Sequence, residues 1–415
     1  MHPDGILFSL CQKKMRGKVC LLLVWSLVSC GLVEIGGGKS DGDHIWIGPG
    51  SMISGGGSGA LKNTVWYAVG IDYPDRYDWR ADPDAGSVKC SLVVFANGIP
   101  MMKVPVGTEY ETGADPDMHR VLDGDLYTDY SADSSTVIKK NGRNLFRFSG
   151  REMIVGMAVD GEDLYTLGQS RSGKGFSFRM NGDVVYEHRT GMLFGHFIRN
   201  GHDYSFAYAE PIHASKDSLE RYYVYSEGSV QQIAVRDDVR KVWDVFCNGD
   251  SLCYIASLVG VPDPVLVSEK DMAVLEVPPD NQIKACRFVP GTSGSMLEGL
   301  ISTSDGMLTG CLWQASAMKS VFPAGYTIAS LCVCDDAVSC VLTHHRTGDE
   351  LISRGGELFQ VPSGYSVMGT SPICMVDGIL HVGLTSLDGS SPTVWKDGEI
   401  STLNINGYIS SISVP

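Results

Sequence analysis

Long apolar runs are nearly absent from this sequence of 415 residues. The clearest one, Val19 to Val28 (VCLLLVWSLV), is about ten residues long. That is too short to span a bilayer as a stable anchor, which needs roughly 20. Long apolar periodic runs are few, and with 49 glycines the composition favours many turns. Positive charge is in deficit, with 33 Lys and Arg against 48 Asp and Glu and a formal net charge of -15. Loss of residues 1–29, which carry a net +3, would leave -18. A body that acidic repels phosphate backbones, which excludes nucleic acid as the expected partner. Nine of the twelve cysteines follow Cys30. An odd number at irregular spacing is not a disulfide framework. Most lie inside apolar strands, where cysteine acts as a small hydrophobe. Cys332, Cys334 and Cys340 with His344 and His345 do not follow a standard zinc pattern, so no metal and no cofactor is expected.

What is present begins with an address. The basic run Lys13 to Lys18, KKMRGK, precedes the apolar run, and Ser29-Cys30-Gly31 follows it. Basic, apolar and small-residue regions in that order make a secretory signal peptide over residues 1–29, with Met15 as a candidate true start. Leu27-Val28-Ser29-Cys30 resembles the lipobox of bacterial lipoproteins. The resemblance implies cleavage before Cys30 and acylation of its thiol and new amino terminus. Several acyl chains anchor stably where one binds only marginally. Residue 32 is Leu rather than Asp, so the inner-membrane retention signal of that family is missing and an outer-membrane location is expected. Residues 30–62 are rich in glycine and read as a flexible tether reaching roughly 30 Å, interrupted only by the strand-like His44-Ile45-Trp46-Ile47.

From residue 63 onward the chain repeats. Arg151 to Gly168, REMIVGMAVDGEDLYTLG, reads as a strand, an Asp-Gly turn and a second strand. Similar turns recur at Asp123-Gly124, Asn200-Gly201, Asn248-Gly249 and Asp377-Gly378. A second element, a strand ending in a two-residue turn, appears as SLVVFANG, STVIKKNG, FSFRMNG, YYVYSEG and PTVWKDG. Asn-Gly and Asp-Gly are hairpin signals because both central residues need positive φ. Four strand-like runs per unit at roughly 40–45 residues fit the blades of a β-propeller. Eight units are found, the sixth degenerate around Gly291 to Gly299; were that unit not a blade, the ring would have seven.

The strand before the Asp-Gly turn carries small residues such as Gly156, Ala158 and Ala285, which suits the innermost position. The first unit starts at its second strand, Thr64 to Val69, and the chain ends on an inner-type strand, Ile409 to Val414. The carboxy-terminal strand is therefore expected to complete the amino-terminal blade and remove two open sheet edges. The pattern of small-residue strand, Asp-Gly turn, LYxxG strand and W/I-K-x-G strand resembles a propeller-type repeat of uncharacterised lipoproteins from Bacteroides and relatives. The resemblance implies a fold and an envelope location, with no agreed activity to transfer.

Turns between strands 1–2 and 3–4 share one face of such a ring. The 2–3 loops and the crossovers between blades share the other, and nearly all the length variation lies there. The longest 2–3 loop, Ile71 to Lys89, places Tyr73, Tyr77 and Trp79 among Asp75, Asp78 and Arg80. Aromatic platforms beside carboxylates suit sugar rings and also protein partners. These six residues are the candidate ligand site. His196, Asp244 and Arg287 lie on inner strands and are candidates to line the axial channel. Glycoside hydrolysis would need paired carboxylates, of which Asp244 is the inner-strand candidate. Thr303 to Trp313 faintly resembles the Asp-box of sialidase-type propellers, a structural element there, and the tryptophan-docking motifs of quinone-dependent dehydrogenases are missing. The expected function is a lipid-anchored extracytoplasmic binding or scaffold module for a glycan or an envelope protein. The alternative is a glycan-active enzyme on the same scaffold. Cys30→Ser should release the protein from the membrane fraction on cell fractionation; a variant that still sediments with membranes would sink the lipid anchor.

Overall fold

A computed structural model describes residues 66–414, apart from 76, 82–86, 107–118, 133, 173, 201–202, 212–219, 227, 249–250, 269–270, 290–295, 335–336 and 370. The signal peptide, Cys30 and the tether lie outside the described residues. The strands form eight antiparallel sheets arranged as an eight-bladed β-propeller, with each chain segment running from the inner to the outer strand of its blade. Blade 3 is representative, with strands Glu152–Asp160, Asp163–Ser170, Phe176–Met180 and Asp183–His188. Blade 8 adds a short strand, Tyr365–Ser366, beside its second strand.

Closure follows the expected path. Tyr67–Asp72, Cys90–Ala96 and Ile99–Val106 are strands 2 to 4 of blade 1, and Gly407–Ser413 is its innermost strand. The closing strand pairs antiparallel with Tyr67–Asp72, Ile71 opposite Tyr408 and Tyr67 opposite Ser413.

The apolar pattern of each strand reports its place in the ring. Every blade is covered on both faces by its neighbours, so second and third strands read as nearly unbroken apolar runs. Cys90–Ala96 is buried along almost its whole length, whereas the outer strand Ile99–Val106 is mostly exposed. The core is divided among the eight junctions. Blades 3 and 4 meet through Phe176, Phe178, Leu193, Tyr204 and Phe206. Blades 5 and 6 meet through Phe246, Ile255, Phe288, Leu297 and Trp313, with the rings of Phe246 and Phe288 stacked at 4.1 Å. Burial of one such side chain stabilises by about 1.5–3 kcal/mol.

The turn signals are carried by named contacts. Asn141 and Gly142 have φ of 51° and 79°, and Asn181 and Gly182 have 52° and 86°. In blade 2, Asn141 also accepts from the Leu126 amide at 2.8 Å and donates through Nδ2 to Asp125 at 2.7 Å. Asn181 repeats the arrangement with Leu164 and Asp163 in blade 3. The 3–4 turn is thereby stapled to the 1–2 turn of the same blade.

Blade 6, degenerate in sequence, is complete: Gln282–Phe288, Met296–Ser302, Leu308–Gln314 and Ala317–Val321. Its 3–4 turn holds Ala315 at φ 52°, where blades 1 to 3 place Asn and blade 8 places Asp397. A left-handed Ala costs roughly 1–2 kcal/mol, and that departure from turn chemistry is why the unit reads weakly. The small inner-strand residues make room for a neighbouring blade. A Cβ on Gly156 would lie 2.5 Å from the Phe197 ring on the inner strand of blade 4.

A strand-3 side chain also caps the crossover into the next blade. The Thr136 hydroxyl accepts from the Glu152 amide at 2.9 Å, and the Thr309 hydroxyl from Gly325 at 3.3 Å. In blade 7 the acceptor is a carboxylate, Glu350, at 2.7 Å from the Val367 amide. Burial pushes Glu350 up to about 7 from 4.5, against the opposing pull of the Val367 amide. Between those values the native chain binds the proton more tightly than the unfolded chain. The native state is therefore favoured below pH ~4.5 and loses about 3 kcal/mol as pH rises through ~7. Glu350→Gln, which keeps an acceptor for Val367, should remove this fall. Thermal unfolding of both proteins between pH 4.5 and 8 checks it: parallel curves would show that Glu350 does not titrate in that range.

Candidate binding face

Strand order alone assigns the faces, and the long-loop face carries the candidate ligand residues. The segment after Asp72 folds back onto its own blade. Tyr73 and Trp79 are buried, with rings 6.0 Å apart at 13°, and Trp79 packs on Tyr408 of the closing strand at 5.4 Å. Tyr77 is half-buried against Tyr73 at 5.6 Å. All three pack on the core between blades 1 and 2. Arg80 lies 5.2 Å from the Trp79 ring centre, pairs with Asp78 at 3.5 Å and donates to the Ser386 carbonyl of blade 8 at 3.1 Å. Asp75 and Asp78 are exposed.

The backbone of the same loop is held by the residue before the closing strand. Asn406 Nδ2 donates to the carbonyls of Pro74 and Tyr77 at 2.9 and 3.0 Å. Its amide donates to Asp72 at 2.9 Å, and its carbonyl accepts from the Tyr73 amide at 2.9 Å. The expected aromatic platform is thus corrected for Tyr73 and Trp79. Their apolar area is worth more against Tyr408 and the blade core than in water, so the loop acts as a clasp on the ring closure.

The channel candidates also separate. Asp244 is buried, its two oxygens accepting from the Val245 amide at 2.8 Å and from the Phe288 amide of blade 6 at 2.6 Å. It ties two inner strands together. Its inward turn follows an irregular register between Val242 and Asp244. A single strand does not announce such a bulge. Arg287 is half-buried and bonded to the buried Glu298 carboxylate. The His196 side chain lies outside the described residues.

A cluster that the sequence reading did not single out lies on the long-loop face between blades 3 and 4. Blade 4 comprises Met192–Asn200, Asp203–Pro211, Glu220–Ser226 and Ser229–Gln232. Tyr208 stacks on Tyr223 at 5.0 Å and 17°, and its hydroxyl is 2.7 Å from that of Tyr186. Tyr223 donates to Glu210 at 3.2 Å, and His188 Nε2 lies 3.9 Å from the same carboxylate. Burial, then the hydroxyl of Tyr186, pushes Tyr208 well above the ordinary phenol value, so it stays neutral. Tyr186 and Tyr223 are half-buried and border solvent. The signal was the alternation Tyr204, Phe206, Tyr208 on one strand and Tyr223, Tyr225 on the next. It places one stack of rings on one side of the blade.

No protein-family model matches the chain, and no curated protein matches it in sequence. Solved structures match in fold. The dihydro-heme d1 dehydrogenase NirN in complex with DHE superposes with a TM-score of 0.51 at 11% identity, covering 85% of this chain and 75% of that one. The β-propeller domain of the Trilobed protease from Pyrococcus furiosus gives 0.43 at 11%, covering 68% and 90%. The acylaminoacyl peptidase of Pyrococcus horikoshii gives 0.43 at 9%, covering 74% and 55%. At these identities the likeness is one of fold.

Trp79→Ala should lower stability by about 3 kcal/mol and Asn406→Ala by about 1 kcal/mol. Both should raise hydrogen exchange in Gly407–Ser413 before the other blades. Unchanged exchange there, with unfolding unaffected in denaturant, would return the loop to the role of a binding platform.

Proposed function

We propose that the chain is a lipid-anchored, extracytoplasmic propeller that acts as a non-catalytic binding module, tethered to the outer membrane through Cys30 and residues 30–62. The observation that carries the non-catalytic reading is the use made of two buried carboxylates, Asp244 and Glu152. Asp244 is bonded to two backbone amides. Glu152 is held by Arg179 at 2.6 and 2.9 Å and by Ser177 at 2.8 Å. Each is a structural tie, and an acid committed to two or three donors is a poor proton donor to a leaving group. The binding half of the reading rests on the half-exposed tyrosines and the His188–Glu210 pair on the face where the long loops gather.

The full acylated chain in detergent micelles, incubated with a panel of glycans and with envelope extract, separates this reading from a glycan-active enzyme. Retention of a glycan or a defined protein without new reducing ends or unsaturated sugar products is the expected result. Time-dependent appearance of either product would overturn the non-catalytic reading.

A further inference from the structure

The charge of the long-loop face is divided. Around blade 1 it is acidic by sequence: Ile71 to Lys89 holds five Asp against three basic residues, and Thr108 to Asp117 holds four acidic residues and no basic one. Around blades 3 to 5 the excess of acid disappears: the segments 171–175, 187–191, 210–221, 233–241 and 259–264 hold eight basic and seven acidic residues, although the whole chain carries -15. Arg171 and Lys174 lie in the 2–3 loop of blade 3, and Arg189 follows its last strand, Asp183–His188. Arg221 opens the third strand of blade 4 at its loop end, opposite Glu210. Arg240 and Lys241 stand at the start of the inner strand of blade 5, Val239–Asn248, where the Lys241 ammonium lies 4.7 Å from the Trp243 ring centre. All six cations are exposed. The acidic neighbours are Glu187, Glu210, Asp237, Asp238 and Asp263, with Asp217 and Glu220 beside them in sequence; Glu210 is bonded to Tyr223 at 3.2 Å and Asp238 is paired with Arg236 at 2.9 Å.

This arc borders the tyrosine cluster between blades 3 and 4. Two kinds of contact therefore meet on one surface. Guanidinium groups pair bidentately with carboxylates. Half-exposed Tyr186 and Tyr223, beside Glu210 and His188, offer ring faces next to hydroxyl, carboxylate and imidazole groups, the mixture that a pyranose ring and its hydroxyl rim require. We infer that the long-loop arc of blades 3 to 5 binds an acidic polysaccharide, with uronate carboxylates on the cations and sugar rings on Tyr186 and Tyr223. The inference rests on the reading of the chain as a binding module and names its ligand class.

The test is native affinity electrophoresis of the full chain in detergent micelles through gels containing polygalacturonate, dextran or polyphosphate, with flotation on anionic vesicles alongside. Polygalacturonate should retard the protein and dextran should not, and retardation should fall about tenfold in affinity between low and 0.5 M salt as screening sets in. Arg171→Glu, Lys174→Glu and Arg189→Glu combined should weaken binding at least about tenfold, and Tyr223→Ala about fivefold at every salt concentration. Arg143→Glu with Arg147→Glu, on the exposed outer strand of blade 2, should leave it unchanged. Retention on dextran that ignores the triple substitution would refute the acidic ligand while leaving a binding module standing. Equal retention on polyphosphate or on anionic vesicles, insensitive to Tyr223→Ala, would reduce the arc to simple ion exchange and overturn the inference. Retention on none of these, with cleavage products in the glycan panel, would overturn both readings.

Discussion

The ladder between Tyr67–Asp72 and Gly407–Ser413 is the contact on which the whole ring depends. It joins the two ends of the described chain across more than 330 residues. Seven of the eight blades can form from neighbouring strands alone. Blade 1 cannot, because its inner strand arrives last. Without that strand both faces of the first and last junctions stay wet, and two sheet edges stay open to pairing with other chains. The clasp around Asn406 follows from this need. The backbone carbonyls of Pro74 and Tyr77 and the ring of Trp79 hold the entry of the closing strand, and Arg80 extends the hold to blade 8.

Once closed, the ring is a stack of similar junctions, each with its own apolar cluster. Several of the polar groups that enter them serve as ties. Asp244 bridges two inner strands, Glu152 lies under Arg179, and Thr136, Thr309 and Glu350 cap three of the crossovers between blades. The stapled turns keep the opposite face short. What remains free to vary is the long-loop face, where length, charge and aromatic content change from blade to blade without disturbing the junctions. That division of labour is why function is sought on one face of a molecule whose other face is made of near-identical turns.

Much of this was legible before any coordinates. The Asn-Gly and Asp-Gly turns need left-handed backbone that only a few residues adopt, so they mark hairpins wherever they stand. The unbroken apolar runs of second and third strands mark sheets covered on both sides. The small inner strands and the missing first strand of the first unit predicted the closure. The candidate site was less legible. Tyr73 and Trp79 among aspartates look the same in sequence whether the rings face solvent or the blade core. The tyrosines of blade 4 looked like ordinary strand residues, because only the packing against blade 3 shows that Tyr223, with Tyr186 of blade 3, borders solvent.

The sequence by itself determined the unit and the direction in which the chain fills the ring, since turn chemistry and strand periodicity are local properties, while the count of eight rather than seven was settled by the fold of the degenerate sixth unit. Tertiary structure alone decided what each polar or aromatic side chain faces. Asp244 became a tie between blades because a register shift in its strand turned it inward toward the Phe288 amide. The loop after Asp72 became a clasp because the closing strand, remote in sequence, offered Tyr408 and Asn406 beneath it. The cations of blades 3 to 5 became one surface because the ring sets their loops side by side. Burial and proximity depend on which distant segments meet, and no local pattern encodes that.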